Sequence, residues 1–243
     1  MLKRLLIAGL LVASICTHAQ QAGREVVFAV TDSNAMPLAA FEGDLLKAGI
    51  VMDVGNAIAQ RLGRTARFVT VSRNRLVSTL VDGRADGSCY AMPAWLDNAP
   101  LRWSRPLIPN RDLVAARSDA APLASVEDLA GESIGAVLGY RYPDLENRLG
   151  DRFRRDDAPD MLSNLRKLAA GRVRYAIVDQ LTLQYETRRT LRDFKPGPSL
   201  TVASFVAACA FSLKGNVPAE DLQRSADALL LDGTIETILA RYR

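Results

Sequence analysis

The chain has 243 residues and a formal net charge of +4, with 49% hydrophobic and 24% charged residues. This composition is typical of a folded globular protein, and it excludes a disordered chain, a collagen and a small disulfide-rich scaffold. The length allows one large domain or two small ones, each with a hydrophobic core of its own.

The beginning of the chain has the layout of a secretory signal peptide, which we place at residues 1–19. The basic pair Lys3-Arg4 precedes the apolar run Leu5–Ile15, and small residues follow up to Ala19, where signal peptidase would cut. The run is too short to cross a bilayer, which takes about 20 residues. We therefore expect export to the periplasm, with a membrane anchor or a buried helix as the alternative.

Removal of this segment changes the charge and the available chemistry. It lowers the Lys+Arg count from 31 to 29 against 27 Asp+Glu, so the charge falls to about +2. That balance gives no electrostatic case for binding nucleic acid. The only histidine, His18, leaves with the segment. Its loss excludes Ser-His-Asp and Cys-His catalysis and argues against a zinc or haem site, so we expect no cofactor and no metal.

The chain contains three cysteines. Cys16 raises lipidation as an alternative to simple cleavage, but Ile15 precedes it where a lipobox has a small residue. Cys89 and Cys209 remain in the mature chain, and an even number of cysteines in an exported protein indicates a disulfide. Two buried free thiols are the alternative, because nothing in the sequence shows that the two residues meet.

The mature chain alternates short β-rich runs with amphipathic helical segments. The expected strands are Val26–Val30, Ala66–Val71, Ser88–Met92, Leu113–Ala116, Ser133–Val137, Tyr175–Val178 and Val202–Leu213. The expected helices are Ile50–Leu62, Asn74–Val81, a turn at Val126–Leu129, Met161–Ala170, Asp179–Leu191, Ala219–Leu231 and Gly233–Tyr242. Such alternation predicts parallel β-α-β units and an α/β fold.

Two similar segments indicate two similar lobes. Leu80–Arg84 and Leu168–Arg172 each end a helix on glycine just before a strand. We expect the last two helices to complete the first lobe, so that the chain crosses between lobes near Pro109–Asp112 and Thr201–Phe205, which act as hinges. The prediction is an α/β protein of two Rossmann-like lobes joined by a two-strand hinge. The expected lobes are residues 20–111 with 204–243, and residues 112–203.

Motifs for nucleotide and acyl-transfer chemistry are absent from the sequence. It contains no Gly-rich dinucleotide loop after a strand, no P-loop and no nucleophile elbow. The basic residues Arg152, Arg154 and Arg155 lie among Asp151, Asp156 and Asp157, and we interpret them as a solvated face.

Several segments resemble family 3 solute-binding proteins of bacterial ABC transporters. Gly49–Val54 (GIVMDV) and Ile58–Gly63 (IAQRLG) are similar to the first helix of that family. Further similar segments follow in the family's order over nearly the whole mature chain: Leu80–Asp86 (LVDGRAD), Trp103–Leu107 (WSRPL), Val126–Gly135 (VEDLAGESIG), Leu168–Asp179 and Asp232–Thr234 (DGT).

The resemblance implies a two-lobed, type II periplasmic binding protein that closes over a small ligand. In a parallel α/β sheet the cleft lies at the carboxyl ends of the strands. The expected ligand-binding residues follow those ends: Asp32, Tyr90, Pro93, Trp95, Asp97, Gly139, Tyr140, Arg141 and Asp179.

The resemblance also suggests roles, each with a structural alternative. Asp179 matches the carboxylate that binds a ligand ammonium, or it caps a helix. Gly139–Arg141 matches the loop whose N–H groups hold a ligand carboxylate, or it is an ordinary turn. Asp32 lines the cleft or caps a loop. Tyr90 and Trp95 stack on a ligand, or they pack against the lobe.

The sequence departs from the family where amino-acid binders carry Thr-x-x-Arg. In that family the arginine clamps the ligand α-carboxylate, but here Asp97 or Asn98 stands in its place. A carboxylate cannot replace a guanidinium for binding an anion. Either Arg141 supplies the guanidinium from the other lobe, or the ligand lacks that carboxylate.

The expected function is capture of a small polar metabolite, amino-acid-like or cationic, by a monomer that delivers it to an inner-membrane ABC permease. Service to a periplasmic sensor or dehydrogenase system is an alternative. A dehydratase-like enzyme on the same scaffold is another, with Asp97 or Asp179 as general acid or base. We expect a binding protein and not an enzyme.

Overall fold

The computed structural model describes residues 25–243. The predicted signal peptide at residues 1–19, with Cys16 and His18, lies outside this range. Within the described range, none of the helices has the length and apolar character needed to cross a membrane.

The described residues form eleven strands and seven α-helices. The strands are β1 (Glu25–Thr31), β2 (Ala40–Glu42), β3 (Leu45–Ala48), β4 (Thr65–Val71), β5 (Gly87–Ala91), β6 (Arg102–Trp103), β7 (Ile108–Ala116), β8 (Ser133–Val137), β9 (Arg154–Ala158), β10 (Tyr175–Asp179) and β11 (Leu200–Phe211). The helices are α1 (Ile50–Arg61), α2 (Leu76–Val81), α3 (Pro143–Leu149), α4 (Met161–Ala169), α5 (Gln180–Arg189), α6 (Ala219–Leu231) and α7 (Thr234–Ala240).

Two parallel sheet segments define two α/β lobes. In the first lobe β1 pairs in parallel with β4 and β5, and in the second lobe β8 pairs in parallel with β9 and β10. The long strand β11 pairs antiparallel with β5 on one side and with β7 on the other, and β7 continues to β10. The strand order is therefore β4-β1-β5-β11-β7-β10-β8-β9.

The first lobe has one core built from both ends of the chain. Val54 and Ile58 on the buried face of α1 lie in the same apolar cluster as Phe28 of β1 and as Leu222 and Leu229 of α6. Each such side chain, once buried, contributes roughly 1.5–3 kcal/mol. The C-terminal helices therefore return to the first lobe, as the sequence predicts.

The strands β7 and β11 run between the lobes where the sequence places the crossovers. Asp112 pairs with Ala203, and Asn110 pairs with Phe205, in an antiparallel ladder. The exact lobe boundaries, 20–111 with 204–243 and 112–203, stay a prediction.

Two elements of the second lobe escape prediction from the sequence. Helix α3 starts at Pro143 and is only seven residues long. Strand β9 reads RRDDA and has no apolar alternation to mark it. The interpretation of its arginines as a solvated face holds for the exposed Arg154 but is wrong for Arg155. That guanidinium donates hydrogen bonds to the backbone oxygens of Val137 and Tyr140, because β9 pairs with β8 beside them.

A disulfide joins the two halves of the first lobe's sheet. Cys89 of β5 and Cys209 of β11 are bonded, as the sequence predicts, and they stand opposite each other in the antiparallel pair. The bond spans 120 residues of chain, which include the whole second lobe. It therefore restricts the unfolded chain strongly.

Reduction of this disulfide should lower the free energy of unfolding by about 2–5 kcal/mol, because the reduced unfolded chain gains conformational freedom. Urea unfolding with and without reductant, followed by tryptophan fluorescence, measures the change. The double variant Cys89→Ala/Cys209→Ala is the control and should not respond to reductant. Two free thiols titrated in the unfolded, non-reduced protein would contradict the bond.

Candidate functional site

A small cavity lies between the lobes at the carboxyl ends of their parallel strands. Its volume is about 40 Å³, while one water needs about 10–15 Å³, so it holds a few waters or a small ligand. It is lined by Asn34, Ala35, Leu38, Arg73, Tyr90, Trp95, Asp112, Tyr140, Arg141, Tyr142, Met161, Ile177 and Asp179.

Direct contacts between the lobes close the cavity. The hydroxyl of Tyr140 donates to Oδ1 of Asn34 at 3.0 Å, and the N–H of Met161 donates to the backbone oxygen of Ser33 at 3.1 Å. Gly139 has a φ of 76°, and a Cβ there would lie 2.9 Å from Oδ1 of Asn74. Glycine is therefore favoured at this position by its backbone angle, whereas the Asn74 side chain could move to make room.

Asp179 caps a helix, which is one of the two roles that the sequence leaves open, and it also lines the cavity. It ends β10 and is only 5% exposed. Its Oδ1 accepts hydrogen bonds from the N–H of Thr182 (2.9 Å), which caps α5, and from Nδ2 of Asn110 (2.8 Å). Both bonds converge on Oδ1, and Oδ2 accepts neither of them. Burial raises the pKa of Asp179, and the hydrogen bonds from Asn110 and Thr182 oppose that rise.

Asn110 connects Asp179 to the first lobe. Its Nδ2 also donates to the hydroxyl of Tyr90 at 2.6 Å, and its Oδ1 accepts from the N–H of Leu181 at 3.2 Å. Tyr90 has a φ of 65°, a left-handed conformation that is uncommon for a bulky non-glycine residue. Burial, together with Asp179 and Asp112, raises the pKa of the Tyr90 phenol well above its usual value, so it stays protonated at neutral pH.

Asp112 is a cavity residue that the sequence analysis missed. It stands directly opposite Asp179 in the antiparallel β7–β10 pair, so the two carboxylates share one face of the sheet. Burial is the main cause that raises its pKa, to about 7, and the negative charges of Asp179 and Asp144 add to it. Its place within a hinge strand, rather than after a strand end, explains why the strand-end rule did not select it.

The walls of the cavity are aromatic and already contact a cation. The rings of Trp95 and Phe205 meet edge to face at 4.9 Å, and Tyr90 lies 5.9 Å from Trp95. The guanidinium of Arg73 lies 5.1 Å from the centre of the Tyr140 ring and 6.0 Å from that of Trp95. Arg73 follows β4, so the strand-end rule applied to that strand would have found it.

Five of the nine predicted ligand-binding residues line the cavity: Tyr90, Trp95, Tyr140, Arg141 and Asp179. The other four do not line it. Asp32 is exposed and donates its N–H to the backbone oxygen of Val71, and Pro93 is exposed on the turn after β5.

Asp97 and Gly139 lie at a more open depression beside the cavity, together with Arg141. There Arg141 lies 4.0 Å from Asp97 and 3.7 Å from Glu146, with 61% of its side chain exposed. Its guanidinium is therefore directed to the rim.

Two N–H groups at and just after the loop Gly139–Arg141 are bonded within the second lobe. The N–H of Tyr140 donates to the backbone oxygen of Val137 at 3.1 Å. The N–H of Tyr142 donates to Oε1 of Glu146 at 3.0 Å. These two groups are therefore not free to hold a ligand carboxylate.

No protein-family model matches the chain, and no curated protein sequence matches it. Solved structures share its fold. A substrate-binding protein of an amino acid ABC transporter matches with a TM-score of 0.73 at 17% identity, over 90% of this chain and 98% of that chain. The ancestral amino-acid-binding protein AncCDT-1, a precursor of cyclohexadienyl dehydratase, matches with a TM-score of 0.75 at 14% identity, over 94% and 99%.

A histidine kinase sensor domain with similarity to periplasmic binding proteins matches with a TM-score of 0.71 at 22% identity, over 90% of this chain and 96% of that chain. The chain thus has the two-lobed α/β fold of type II periplasmic binding proteins, which confirms the predicted fold class. At these identities the likeness establishes the fold alone and does not identify the ligand.

The pKa of Asp112 predicts a pH-dependent cost in stability. The folded state holds a proton on Asp112 up to about pH 7, whereas the unfolded chain releases it near pH 3.8, so stability falls as the pH rises through this window. Asp112→Asn removes the titrating group. The variant's free energy of unfolding, minus that of the wild type, should therefore be about 2 kcal/mol larger at pH 8 than at pH 5.

Urea unfolding of both proteins at the two pH values measures this difference. Asp151→Asn is the matched control, because it makes the same chemical change at an exposed position outside the cavity, and Asp151 is not among the groups that act on Asp112. A gain for Asp112→Asn that is the same at pH 5 and pH 8 would show that the carboxyl titrates normally.

Proposed function

We propose that the protein is a periplasmic solute-binding protein that captures a small polar metabolite, amino-acid-like or cationic, between its lobes. The observation that carries the proposal is the closed cavity at the junction of the lobes, with two carboxylates at one side and aromatic rings around them. Cavities with a few convergent polar groups and apolar walls are the usual form of small-molecule sites.

Capture follows from the way in which both lobes contribute to one cavity. Trp95 and Tyr90 come from the first lobe, and Tyr140 and Asp179 come from the second. A ligand reaches both sets only when the lobes are closed, so it binds the closed state more tightly and shifts the population toward it. The contacts of Tyr140 with Asn34 and of Met161 with Ser33 belong to that closed state.

The partner that this function implies is an inner-membrane ABC permease, to which the protein delivers its ligand. The resemblance of the sequence to family 3 solute-binding proteins and the shared fold with an ABC transporter's binding protein support it. A periplasmic sensor is the alternative partner, supported by the shared fold of a histidine kinase sensor domain. Copurification with membrane proteins from the native host distinguishes the two.

A dehydratase-like enzyme is the second candidate, and the near-neutral pKa of Asp112 favours it, since a general base works best with a pKa near the working pH. Asp97, which the sequence suggested for such chemistry, lies outside the cavity and is exposed. Incubation of the protein with prephenate-like acids tests this candidate. We expect no turnover, and steady product formation abolished by Asp112→Asn would establish the enzyme instead.

The solute-binding function is tested by a thermal-shift screen of metabolites, including polyamines, betaines, aromatic amines, amino acids and organic acids. A ligand at a hundred times its Kd raises stability by roughly 2.7 kcal/mol, which is easily measured. We expect at least one saturable ligand of unit stoichiometry by calorimetry. Failure of every compound to shift the transition would count against a binding protein for such metabolites.

Asp179→Asn should weaken binding of the tightest ligand from that screen by about 10- to 100-fold, because it removes the charge from a charge-assisted hydrogen bond. Asparagine still caps α5 well, so the fold should be kept. The matched control is Asp160→Asn, which changes the cap of α4, where Asp160 accepts from the N–H of Ser163 at 2.7 Å. Asp160 does not line the cavity. Equal affinities for both variants and the wild type would remove Asp179 from the site.

A further inference from the structure

We propose that Asp112 and Asp179 together form a twin-carboxylate receptor for a primary ammonium group, and that Asp112 makes the site selective for amines. This inference rests on the proposed function and names the ligand class of the same cavity. It assigns a role to a residue of the hinge strand β7, which neither the motifs nor the strand ends point to.

The geometry places both carboxylates where one cation can reach them. Asp112 and Asp179 are directly opposite residues of an antiparallel pair, and such pairs have Cβ atoms about 4.5–5.5 Å apart on the same side of the sheet. Both line the cavity. Only 5% of Asp179 is exposed to solvent. Its Oδ1 accepts two hydrogen bonds, from Asn110 and Thr182, so Oδ2 remains for a ligand.

The described residues do not neutralise this pair. Burial and the negative charges of Asp179 and Asp144 act on the carboxyl of Asp112. No residue in the range 25–243 donates a hydrogen bond to it. Arg73 lies against the rings of Tyr140 and Trp95, and Arg141 is directed to the rim beside Asp97. Two like charges on one sheet face are unfavourable, so a cationic ligand is the missing partner.

The number of acceptors matches a primary ammonium. Such a group has three N–H donors, and the cavity offers the carboxylate of Asp112, Oδ2 of Asp179 and the hydroxyl oxygen of Tyr90, which also contacts Asn110. The rings of Trp95 and Tyr140 already face the guanidinium of Arg73, so recognition of the ligand cation rests on the carboxylates. A quaternary ammonium has no N–H donor and would leave the carboxylates without hydrogen bonds.

Binding should depend on pH because a cation needs the ionised form of Asp112. The titratable and charged groups around it are Asp179 on β10, Asp144 on α3, the phenols of Tyr90, Tyr140 and Tyr142, and the two cavity arginines. Burial raises the pKa of each of the three phenols, so they stay neutral between pH 6 and pH 8. Since Asp112 titrates near pH 7, affinity for an amine should rise about tenfold between these values.

The experiment compares four short probes by isothermal titration calorimetry at pH 6 and pH 8. n-Butylamine is a primary monocation, 4-aminobutyrate adds a carboxylate, butyltrimethylammonium has no N–H, and butyrate is the anion. We expect n-butylamine to bind more tightly than butyltrimethylammonium by about tenfold or more and butyrate not to bind. 4-Aminobutyrate should bind and share the pH dependence of n-butylamine.

Asp112→Asn should weaken binding of n-butylamine at pH 8 by about 10- to 100-fold and remove its pH dependence. Asp151→Asn is the matched control and should change the affinity by less than about twofold, because an exposed charge outside the cavity is screened. Thermal unfolding of each variant confirms that it is folded.

Four outcomes would overturn the inference, and the first three concern relative affinities. These are butyrate binding as well as n-butylamine, the quaternary probe binding as well as the primary one, or Asp112→Asn binding n-butylamine like the wild type. Absence of binding by both amine probes also overturns it. If the metabolite screen nevertheless yields a neutral or anionic ligand, the solute-binding function stands while the amine selectivity fails.

Discussion

The pairing of β7 with β11 is the constraint on which the rest of the structure depends. These two antiparallel strands are the only covalent route between the lobes within residues 25–243, and each also pairs with a strand of one lobe. Because β11 is bonded to β5 through Cys209 and Cys89, the hinge is anchored to the first lobe. Because β7 pairs with β10, the hinge also carries Asp112 to the side of Asp179. One ladder thus joins the lobes and builds the floor of the cavity.

The buried carboxylates of that floor are electrostatically unfavourable in the empty protein, and a cationic ligand can remove this cost. Burial of two neighbouring carboxylates raises the pKa of both Asp112 and Asp179, and Asn110 compensates only Asp179. Replacement of Asp112 by a neutral residue would make the empty protein more stable, so the carboxyl is not there for stability. A site that is strained in the empty protein and satisfied by a cation gains specificity from this difference, since an anion or a neutral solute offers no relief. Arg73 of the first lobe already contacts the ring of Tyr140 of the second lobe, so these two parts of the cleft meet without a ligand between them.

Periodicity predicts most of the fold because the parallel strands and their helices are strongly patterned. Ser133–Val137 and Ala219–Leu231 agree with the structure to the residue. Strand β9 has charged residues at nearly every position and is defined only by its pairing with β8, which no local pattern contains. In the site, the strand-end rule selects Tyr90, Tyr140 and Asp179, all of which line the cavity, but also Asp32, which does not line it. Asp112 could not be selected, because its position depends on the antiparallel register of β7 with β10, a contact between distant parts of the chain.

The central claim is that a cation bound between the lobes is held by both carboxylates at once. A crystal structure of the protein grown at pH 8 with n-butylamine tests it most directly. The account predicts electron density for the amine inside the cavity, with its nitrogen within about 3.2 Å of a carboxylate oxygen of Asp112 and of Oδ2 of Asp179. An amine bound only outside the cavity, or one whose nitrogen contacts neither carboxylate, would contradict it.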